Sequence, residues 1–242
     1  MNNSISTANK TTVKIKKLCT VAAFCALAYA CTFVLHISVS FLTFDVKDAV
    51  IAVGGMFFGP LSALVMSLTV SLVELVTISD TGLYGFIMNF IGSAAFSVTA
   101  SLIYKYRRRL AGAYMGLACA VVAVTVLMMG ANLIVTPKFT GLSVEAVAAM
   151  IPSLLLPFNL IKSLLNSALV ILIYKPVSRA LKASKMAPPS PSHTAEQGYS
   201  GSEQPRNTGK IYTVMSIAIA VLIIVISILL LICLKAEFKL FG

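Results

Sequence analysis

A lysine occurs near the middle of an apolar stretch, in the segment "PFNLIKSLLNS" at residues 157–167. Asn159 precedes Lys162 by three residues, and Asn166 follows it by four. On a helix this spacing places the three side chains on one face, within about 60° of each other. An ammonium group in hydrocarbon is costly, so a lysine at this depth should face a bundle interior or a water-filled cavity. The spacing therefore indicates a polar face that contacts either a ligand or a buried counter-ion.

Three further polar side chains stand at membrane depth in other apolar segments. Glu74 is a candidate counter-ion for Lys162, whereas Asn89 and Asn132 can each form a helix cap or an interhelical hydrogen bond. Combined with Lys162, the asparagines offer donors and acceptors without a cluster of carboxylates. Such a set suits a neutral, planar, hydrogen-bonding ligand better than a metal ion.

Aromatic residues at a similar level could stack on a planar ligand, or could instead form the aromatic belt found at membrane interfaces. These residues are Phe41, Phe44, Tyr84, Phe86 and Phe158. Because either role needs the ring at the same depth, the sequence leaves the two alternatives open.

The composition places these residues in a membrane protein. Of 242 residues, 58% are hydrophobic and 11% are charged, and the mean hydropathy is +0.94, whereas soluble domains carry roughly a quarter charged residues. The apolar residues form long blocks, which is typical of a polytopic membrane protein. The net charge of +11 arises beside those blocks, so membrane topology explains it better than nucleic-acid binding does.

The sequence carries no motif for catalysis or metal binding. Its five cysteines include no CxxC pair, and its two histidines, His36 and His193, are far apart, so a metal site or a catalytic triad is not expected. It also contains no HExxH, GxSxG or Walker A sequence. We therefore expect that this chain is not an enzyme and that it does not itself hydrolyse ATP.

Apolar blocks and the basic segments beside them predict the topology. The blocks cover about residues 18–39, 61–79, 82–104, 110–135, 153–174 and 212–234, each near the roughly 20 residues that span a bilayer. Basic residues cluster before the first block, between the third and fourth, and after the fifth. Basic segments stay in the cytoplasm. One inward crossing is therefore missing between the first block and the second.

The segment "DAVIAVGGMFFGP" at residues 48–60 is the candidate for the missing crossing. It is short and its two adjacent glycines weaken it as a helix, so hydropathy alone would not reveal it. Asp45 or Asp48 is predicted to cap its start, and the Gly-Pro pair at its end is predicted to turn the chain into the next helix. In this topology Asp45, Lys47 and Asp48 lie outside, and the N-terminus is cytoplasmic.

The predicted fold class is an all-α membrane protein, a six-helix bundle with one additional C-terminal transmembrane helix. Residues 1–13 form a cytoplasmic N-terminal arm, and residues 14–182 form the six-helix membrane domain. The Pro-, Ser- and Gly-rich residues 183–210 are predicted to be a disordered cytoplasmic linker. The additional helix covers residues 211–235 and offers no strongly polar group, which suggests anchoring or lateral contact. A short extracellular tail follows at 236–242.

Small residues recur four apart on the first helix, at Ala22, Ala26 and Ala30. A ridge of this kind lets another helix approach closely. Alanine is common in membrane helices, so the pattern alone leaves a partner interface and ordinary packing as equal alternatives.

Residues 14–181, roughly 70% of the chain, resemble the substrate-binding S components of energy-coupling factor (ECF) vitamin transporters, particularly the riboflavin-specific members. The stretches that carry the resemblance are "LTFDVKDAVIAVGGMFFGPLSALV", "GFIMNFIGSAAF", "ANLIVTP" and "PFNLIKSLLNSALVILIYKPVSR". They occur in the same order as in that family, and "PFNLIK" is the most informative. The linker and the last apolar helix lie outside the pattern.

The resemblance implies a bacterial cell-membrane protein that binds its vitamin from the outside with high affinity. It then associates with a transmembrane coupling protein and two ATP-binding cassette ATPases, which hydrolyse the ATP. Riboflavin would be the transported substrate, and no cofactor is implied. The alternatives are an S component for another vitamin or flavin, and a stand-alone membrane receptor.

By the same resemblance, Asn132, Asn159 and Lys162 would contact the polar edge of the isoalloxazine ring, and the loop around residues 79–84 would gate the pocket. The alanine ridge of the first helix would dock on the coupling protein. The complete predicted substrate-binding set is Asn132, Asn159, Lys162, Asn89, Glu74, Phe44 and Tyr84.

Overall fold

A computed structural model of the protein describes residues 2–35, 37–39, 42–79, 81–108, 110–184, 186, 217–230 and 232–233. Apart from one small hairpin, the regular structure in these residues is helical, which confirms the predicted all-α class. The predicted tail and nearly all of the predicted linker lie outside the described residues, and so do Phe41, His36 and His193.

Helices follow one another along most of the described chain. In order the elements are α1 (Asn2–Val34), β1 (Ile37–Val39), β2 (Leu42–Phe44), α2 (Lys47–Phe58), α3 (Pro60–Thr77), α4 (Gly82–Tyr106), α5 (Leu110–Thr140), α6 (Val144–Met150), a π-helical segment (Ile151–Leu155), α7 (Leu156–Ala183) and α8 (Ile217–Leu230). The two strands pair antiparallel, with Ile37 opposite Phe44. The sequence did not predict this hairpin, which links α1 to α2.

Five helical stretches in the described residues are long and apolar enough to cross a membrane. They are Thr11–Val34, Pro60–Thr77, Gly82–Tyr106, Ala111–Thr140 and Val144–Ala183. These stretches coincide with the first five predicted apolar blocks. By length and composition the protein is therefore a multi-pass membrane protein. The described part of α8, within the sixth block, is shorter than a span.

The short helix that the charge pattern required is present as α2. At 12 residues it is about 18 Å long, which is less than the roughly 30 Å of hydrocarbon in a bilayer. It packs against α1, α3, α4 and α7, and all of its residues except Phe57 are buried. An element enclosed on so many sides has no polar face, which is why its sequence shows no amphipathic period.

The adjacent glycines of α2 explain how its neighbours come so close. A Cβ atom on Gly55 would lie 2.7 Å from the Cβ atom of Ala63 on α3 and 3.0 Å from that of Ser101 on α4. A Cβ atom on Gly54 would lie 2.8 Å from the terminal methyl group of Met66. The glycines lower intrinsic helix propensity, but they also let three helices meet at van der Waals distance.

The sequence predicted one end of α2 correctly and the other end wrongly. Gly59 has φ 96°, a left-handed conformation that glycine adopts easily, and Pro60 is the first residue of α3; the predicted turn is therefore confirmed. The predicted aspartate cap is wrong. Val46 occupies the N-cap position without a side-chain cap. Instead, the Ala49 amide donates to Oδ1 of Asn166 at 2.9 Å, so the cap comes from α7.

Two apolar clusters fill the bundle. The first surrounds α2 and includes Phe96 and Met66. The second joins strand β2 to α6 and α7 through Phe44, Val147 and Phe158. Ile224 of α8 packs against this second cluster, so α8 contacts the end of the bundle that carries the hairpin.

Candidate functional site

A cavity lies between α4, α5 and α7, and strand β2 contributes to its wall. It encloses about 870 Å³ of space outside the protein atoms, its open mouth included. Small-molecule sites typically combine apolar walls with a few convergent polar groups. This cavity has that character, since methionine and aromatic side chains alternate with amides, hydroxyls and one ammonium group.

Most of the predicted substrate-binding residues line the cavity. Those that do so are Asn89, Asn132, Asn159, Lys162 and Tyr84. Glu74 and Phe44 are buried behind the lining. Polar lining residues that the sequence analysis did not select are Thr43, Asp48, Ser93, Thr136 and Ser163.

Lys162 reaches the cavity while its ammonium group is held from the side of the hairpin. The group donates to the Thr43 carbonyl at 3.2 Å and to Oδ2 of Asp45 at 2.9 Å. Its side chain is 17% exposed, whereas that of Asp45 is 0% exposed. The counter-ion is therefore Asp45, and the suggested direct pair between Lys162 and Glu74 is wrong. Two of the three N–H donors of the ammonium group are used, so one remains.

Asn166 shares the helical face of Lys162, as its spacing predicted, but it does not line the cavity. It is fully buried, where its amide nitrogen donates to the carbonyl of Asp45 at 3.2 Å and to that of Lys162 at 3.0 Å. With the Ala49 amide bound to its oxygen, Asn166 fastens the start of α2 to α7. Its role in the structure is to position the segment that supplies the counter-ion of Lys162.

Glu74 belongs to a second ionic pair with Lys47. The two groups form a short hydrogen-bonded salt bridge, and Lys47 also lies 3.7 Å from Oδ2 of Asp45. Asn89 donates its amide to the same Glu74 oxygen at 3.2 Å. A continuous chain of contacts thus runs from Lys162 through Asp45, Lys47 and Glu74 to Asn89, and both of its ends line the cavity.

The residues Asp45, Lys47 and Asp48, for which the charge pattern predicted the outer side of the membrane, are enclosed by protein. Asp45 is 0% exposed, Lys47 is 1% exposed and Asp48 is 4% exposed. Burial disfavours the charged form of Asp45, but the ammonium groups of Lys162 and Lys47 outweigh it and hold the pKa of that carboxyl below its usual value. Charge bias along the sequence reports topology, but not whether a charge is enclosed by protein.

Asp48 brings a carboxylate to the cavity wall from the first turn of α2. The hydroxyl of Ser93 on α4 donates to it in a short hydrogen bond. Neither residue belonged to the predicted set, because Asp48 fitted a helix cap and a serine is ordinary in a membrane helix. The signal that could have found Asp48 is that it directly follows Lys47, at the start of a helix that its neighbours enclose.

The two asparagines of α5 and α7 are oriented by their own helices. Asn132 donates to the Met128 carbonyl at 2.7 Å and accepts from the Thr136 hydroxyl at 2.9 Å. Asn159 donates to the Leu155 carbonyl at 2.8 Å, at the end of the π-helical segment. The amide of Asn132 is therefore fixed at its nitrogen and its oxygen, and that of Asn159 at its nitrogen. Both line the cavity, so the walls present directed donors and acceptors.

Aromatic rings frame these polar groups. Tyr84 and Phe139 both line the cavity, with their ring centroids 6.2 Å apart. Phe158 lines it as well, and Phe44 packs edge-on against that ring from behind, at 6.4 Å. Of the predicted gate, Thr81 and Tyr84 stand at the cavity. The rings provide apolar surface on which a planar molecule could lie.

The alanine ridge of α1 is on the outside of the protein. Ala22, Ala26 and Ala30 are exposed, whereas Phe24 and Ala28 on the same helix are buried. Packing within the described residues therefore leaves the ridge uncovered. A second helix could approach α1 closely along this side.

Three or more metal-ligating side chains do not cluster anywhere in the described part of the chain.

Residues 16–174 match the family model described as "ECF transporter, substrate-specific component". The chain belongs to this family. The resemblance noted in the sequence is thereby confirmed, and the protein is a multi-pass membrane transporter subunit and not an enzyme.

Two known proteins resemble this S component over most of their own length. It is 28% identical to "Riboflavin transporter RibU" of Staphylococcus aureus (strain TCH60) over 177 residues, which are 69% of this chain and 93% of that protein. A solved structure, described as "Structure and mechanism of the S component of a bacterial ECF transporter", matches with a TM-score of 0.61 and 28% identity. That match covers 70% of this chain and 99% of the other.

Proposed function

We propose that this S component is the high-affinity riboflavin-binding subunit of an ECF-type importer. The observation that carries the proposal is the cavity, where one ammonium group and two oriented amides stand beside aromatic rings. The polar edge of an isoalloxazine ring bears carbonyl and imide groups in one conjugated plane, and it needs both donors and acceptors. The similarity to a riboflavin transporter supports the same substrate.

In this proposal the polar edge of the flavin meets Lys162, Asn132 and Asn159. The free N–H of Lys162 donates to a ring carbonyl, and the amides bind the neighbouring donors and acceptors. Tyr84 contacts the ring face, and Asn89 contributes from α4. Glu74 and Phe44, although part of the predicted set, act from behind: Glu74 orients Asn89, and Phe44 supports Phe158.

We also propose that the vitamin enters from outside a bacterial cell and that the N-terminus is cytoplasmic. The basic residues in the first half of α1, at the junction of α4 and α5, and at the end of α7 support this orientation. The short α2 then counts as the second of six core crossings in residues 14–182. Residues 211–235 form the additional transmembrane helix, after a cytoplasmic linker at 183–210 and before an extracellular tail at 236–242; residues 1–13 form the cytoplasmic arm.

Coupling to ATP hydrolysis is proposed to occur in partner subunits. The exposed alanine ridge of α1 is the surface that we assign to the transmembrane coupling protein, because small side chains allow close helix contact. Two ATP-binding cassette ATPases would supply the energy, since this chain has no Walker A sequence. An S component for another vitamin or flavin is the alternative, followed by a stand-alone receptor.

Riboflavin fluorescence tests the substrate directly. Flavin emission can be excited with visible light, which protein side chains do not absorb, so it can be followed in the presence of the protein. Purified protein in detergent should quench micromolar riboflavin. Lys162→Ala and Asn159→Ala should each weaken binding by about 1–3 kcal/mol, because a polar group of the ligand loses its partner.

A matched control comes from the lipid-facing side of the same helix. Leu164 is exposed and lies outside the cavity, so Leu164→Ala should leave the affinity unchanged. Absence of quenching by the unmodified protein would refute the substrate. Unchanged affinity in both cavity variants would instead refute the assigned contacts. ATP-dependent uptake that requires the coupling protein and ATPases would separate this proposal from a stand-alone receptor, which would bind riboflavin without any such uptake.

A further inference from the structure

A second recess lies at the other end of the bundle from the cavity. It is formed where the α2–α3 corner meets α1 and the end of α4, and it encloses about 790 Å³ of space, open solvent included. On α4, about 24 Å of helix separates Asn89 at the cavity from Lys105 at the recess. The recess therefore cannot share a small ligand with the cavity.

Three cations line this recess, and no anion does among the residues that the structure describes. Lys17 comes from α1, Lys105 from the last turn of α4, and Arg108 from the residues just after it. All three are exposed, and none forms a salt bridge within the described residues. Residues 1–17 and 104–109 contain no aspartate or glutamate at all, so the positive charge has no nearby compensation in the sequence.

The floor of the recess is apolar and extends toward the lipid. It consists of Phe57, Phe58 and the corner Gly59–Pro60, and Leu61 beside them is 73% exposed. The same corner begins α3, an 18-residue helix whose first-turn N–H groups and dipole favour an anion. Cationic and apolar surfaces thus adjoin at one point of the protein.

The recess can be placed relative to a membrane from the ends of the membrane-spanning helices. Lys17 stands near the start of the span Thr11–Val34, Lys105 stands at the end of Gly82–Tyr106, and Leu61 opens Pro60–Thr77. Three spans therefore end at this level, where phospholipid headgroups meet acyl chains. Basic pockets between transmembrane helices at such a level are suited to acidic headgroups.

We propose that this recess, lined by Lys17, Lys105 and Arg108, is a binding site for the headgroup of an acidic phospholipid. The phosphate lies among the three cations, and an acyl chain runs along Leu61. The ligand chemistry is a phosphodiester. The exposed apolar residue next to the cations assigns it to lipid rather than to a soluble phosphate, which would gain nothing from Leu61.

A single introduced tryptophan provides the test, because the chain has none of its own. The full chain with Leu61→Trp is reconstituted into bilayers that contain brominated phosphatidylglycerol or brominated phosphatidylcholine, and quenching of the tryptophan is measured. Phosphatidylglycerol is expected to bind next to the tryptophan about fivefold or more in preference to phosphatidylcholine, since each cation near an anionic lipid contributes appreciably.

Two matched controls locate the preference. Val76 lies at the other end of α3 and is 85% exposed, so Val76→Trp should show no preference for the acidic lipid. In the Leu61→Trp background, K17Q/K105Q/R108Q should abolish the preference. K14Q/R179Q/K182Q, which removes the same charge from exposed positions outside the recess, should preserve it.

The outcome is decided by these comparisons. Equal quenching by both lipids at Leu61→Trp, or a preference that survives K17Q/K105Q/R108Q, overturns the proposal. Full competition by soluble glycerol phosphate also overturns it and identifies a phosphate site instead. Helical content and elution as a single species show that each variant has folded. The readout needs no riboflavin, so it stands or falls independently of the proposed substrate.

Discussion

Lys162 belongs both to the cavity and to the buried ionic network, whereas Glu74 belongs to the network alone. Lys162 lines the cavity with a partly exposed side chain. Glu74 is 2% exposed and has one carboxylate oxygen without a hydrogen-bond partner in the described protein. Its other oxygen binds both Lys47 and Asn89. Substitutions at the two kinds of position should therefore affect different measurements.

Glu74→Gln should destabilise the protein more than it weakens ligand binding. Removal of one partner of a buried ion pair leaves the other charge uncompensated, at a typical cost of about 3–5 kcal/mol, and here Lys47 keeps only the more distant Asp45. Thermal unfolding in detergent should show a clear fall in Tm. Riboflavin affinity should fall less than in Asn159→Ala.

Asn159→Ala is the reciprocal control for that prediction. Its side-chain hydrogen bond runs to the carbonyl of Leu155, four residues earlier at the end of the π-helical segment, and ties no other part of the chain to α7, so Tm should change little while riboflavin affinity falls. A Glu74→Gln protein with unchanged Tm and lost affinity would show that Glu74 touches the ligand, which contradicts its place behind the lining.

Some site residues could be read from the sequence because their signal is local. Lys162 and Asn159 stand out as polar groups on one face of an apolar helix. Their partners could not be read, because Asp45 is 117 residues from Lys162 and pairing over that separation depends on the assembled bundle. Asp48 was misassigned because a residue at a helix start has a local explanation, a cap, that competes with a tertiary one.

At the scale of elements, α2 shows how a weak local signal can produce a central helix. Parity of the basic segments predicted the crossing although hydropathy did not. Its two glycines lie against neighbours of different stiffness. Gly55 faces Cβ atoms of Ala63 and Ser101, which move only with their backbones. Gly54 faces mainly the flexible end of Met66, with the ring edge of Phe24 slightly farther away at 3.1 Å.

Gly55→Ala should therefore destabilise the protein, while Gly54→Ala should be less harmful. Insertion of a methyl group into a close helix contact costs about 1–3 kcal/mol, which exceeds the gain of up to about 1 kcal/mol in helix propensity. At Gly54 the methionine can shift, so the two terms partly cancel. Gly130→Ala on α5, where nothing lies within 4 Å, should be neutral or stabilising. Thermal unfolding of the three variants gives the order. Equal Tm values for Gly55→Ala and Gly130→Ala would contradict the close packing of α2.

The hairpin and the π-helical segment are elements that the sequence did not reveal. Each strand has only three residues, too few for an alternating pattern to be recognised. Pro152 lies within the π-helical segment Ile151–Leu155, but a proline in an apolar stretch does not by itself predict a π-helix. Both elements lie against the cavity wall, so the shape of the site depends on features that local patterns describe least well.

At the scale of the whole molecule, the cavity, the alanine ridge and the basic recess use different surfaces. The cavity is formed by α4, α5, α7 and β2, together with Asp48 at the start of α2. The ridge is the exposed side of α1, whose opposite side packs on α2 and α3. Because α1 contributes no lining residue to the cavity, a change on the ridge can alter assembly without altering the ligand site.

Ala26→Trp should leave riboflavin binding intact and abolish uptake in cells that supply the coupling protein and ATPases. An indole at the centre of the ridge holds a partner helix several ångströms away, beyond the close contact that small residues permit. Leu27→Trp is the matched control, because Leu27 is the next residue, is 52% exposed and points about 100° away from the ridge. It adds the same ring to the same helix, and uptake should persist. Fluorescence quenching measures binding by each purified variant, and radiolabelled riboflavin measures uptake. Since α1 does not reach the cavity, loss of binding in Ala26→Trp would mean that the ridge is needed for the fold. Normal uptake would mean that the coupling protein docks on another surface.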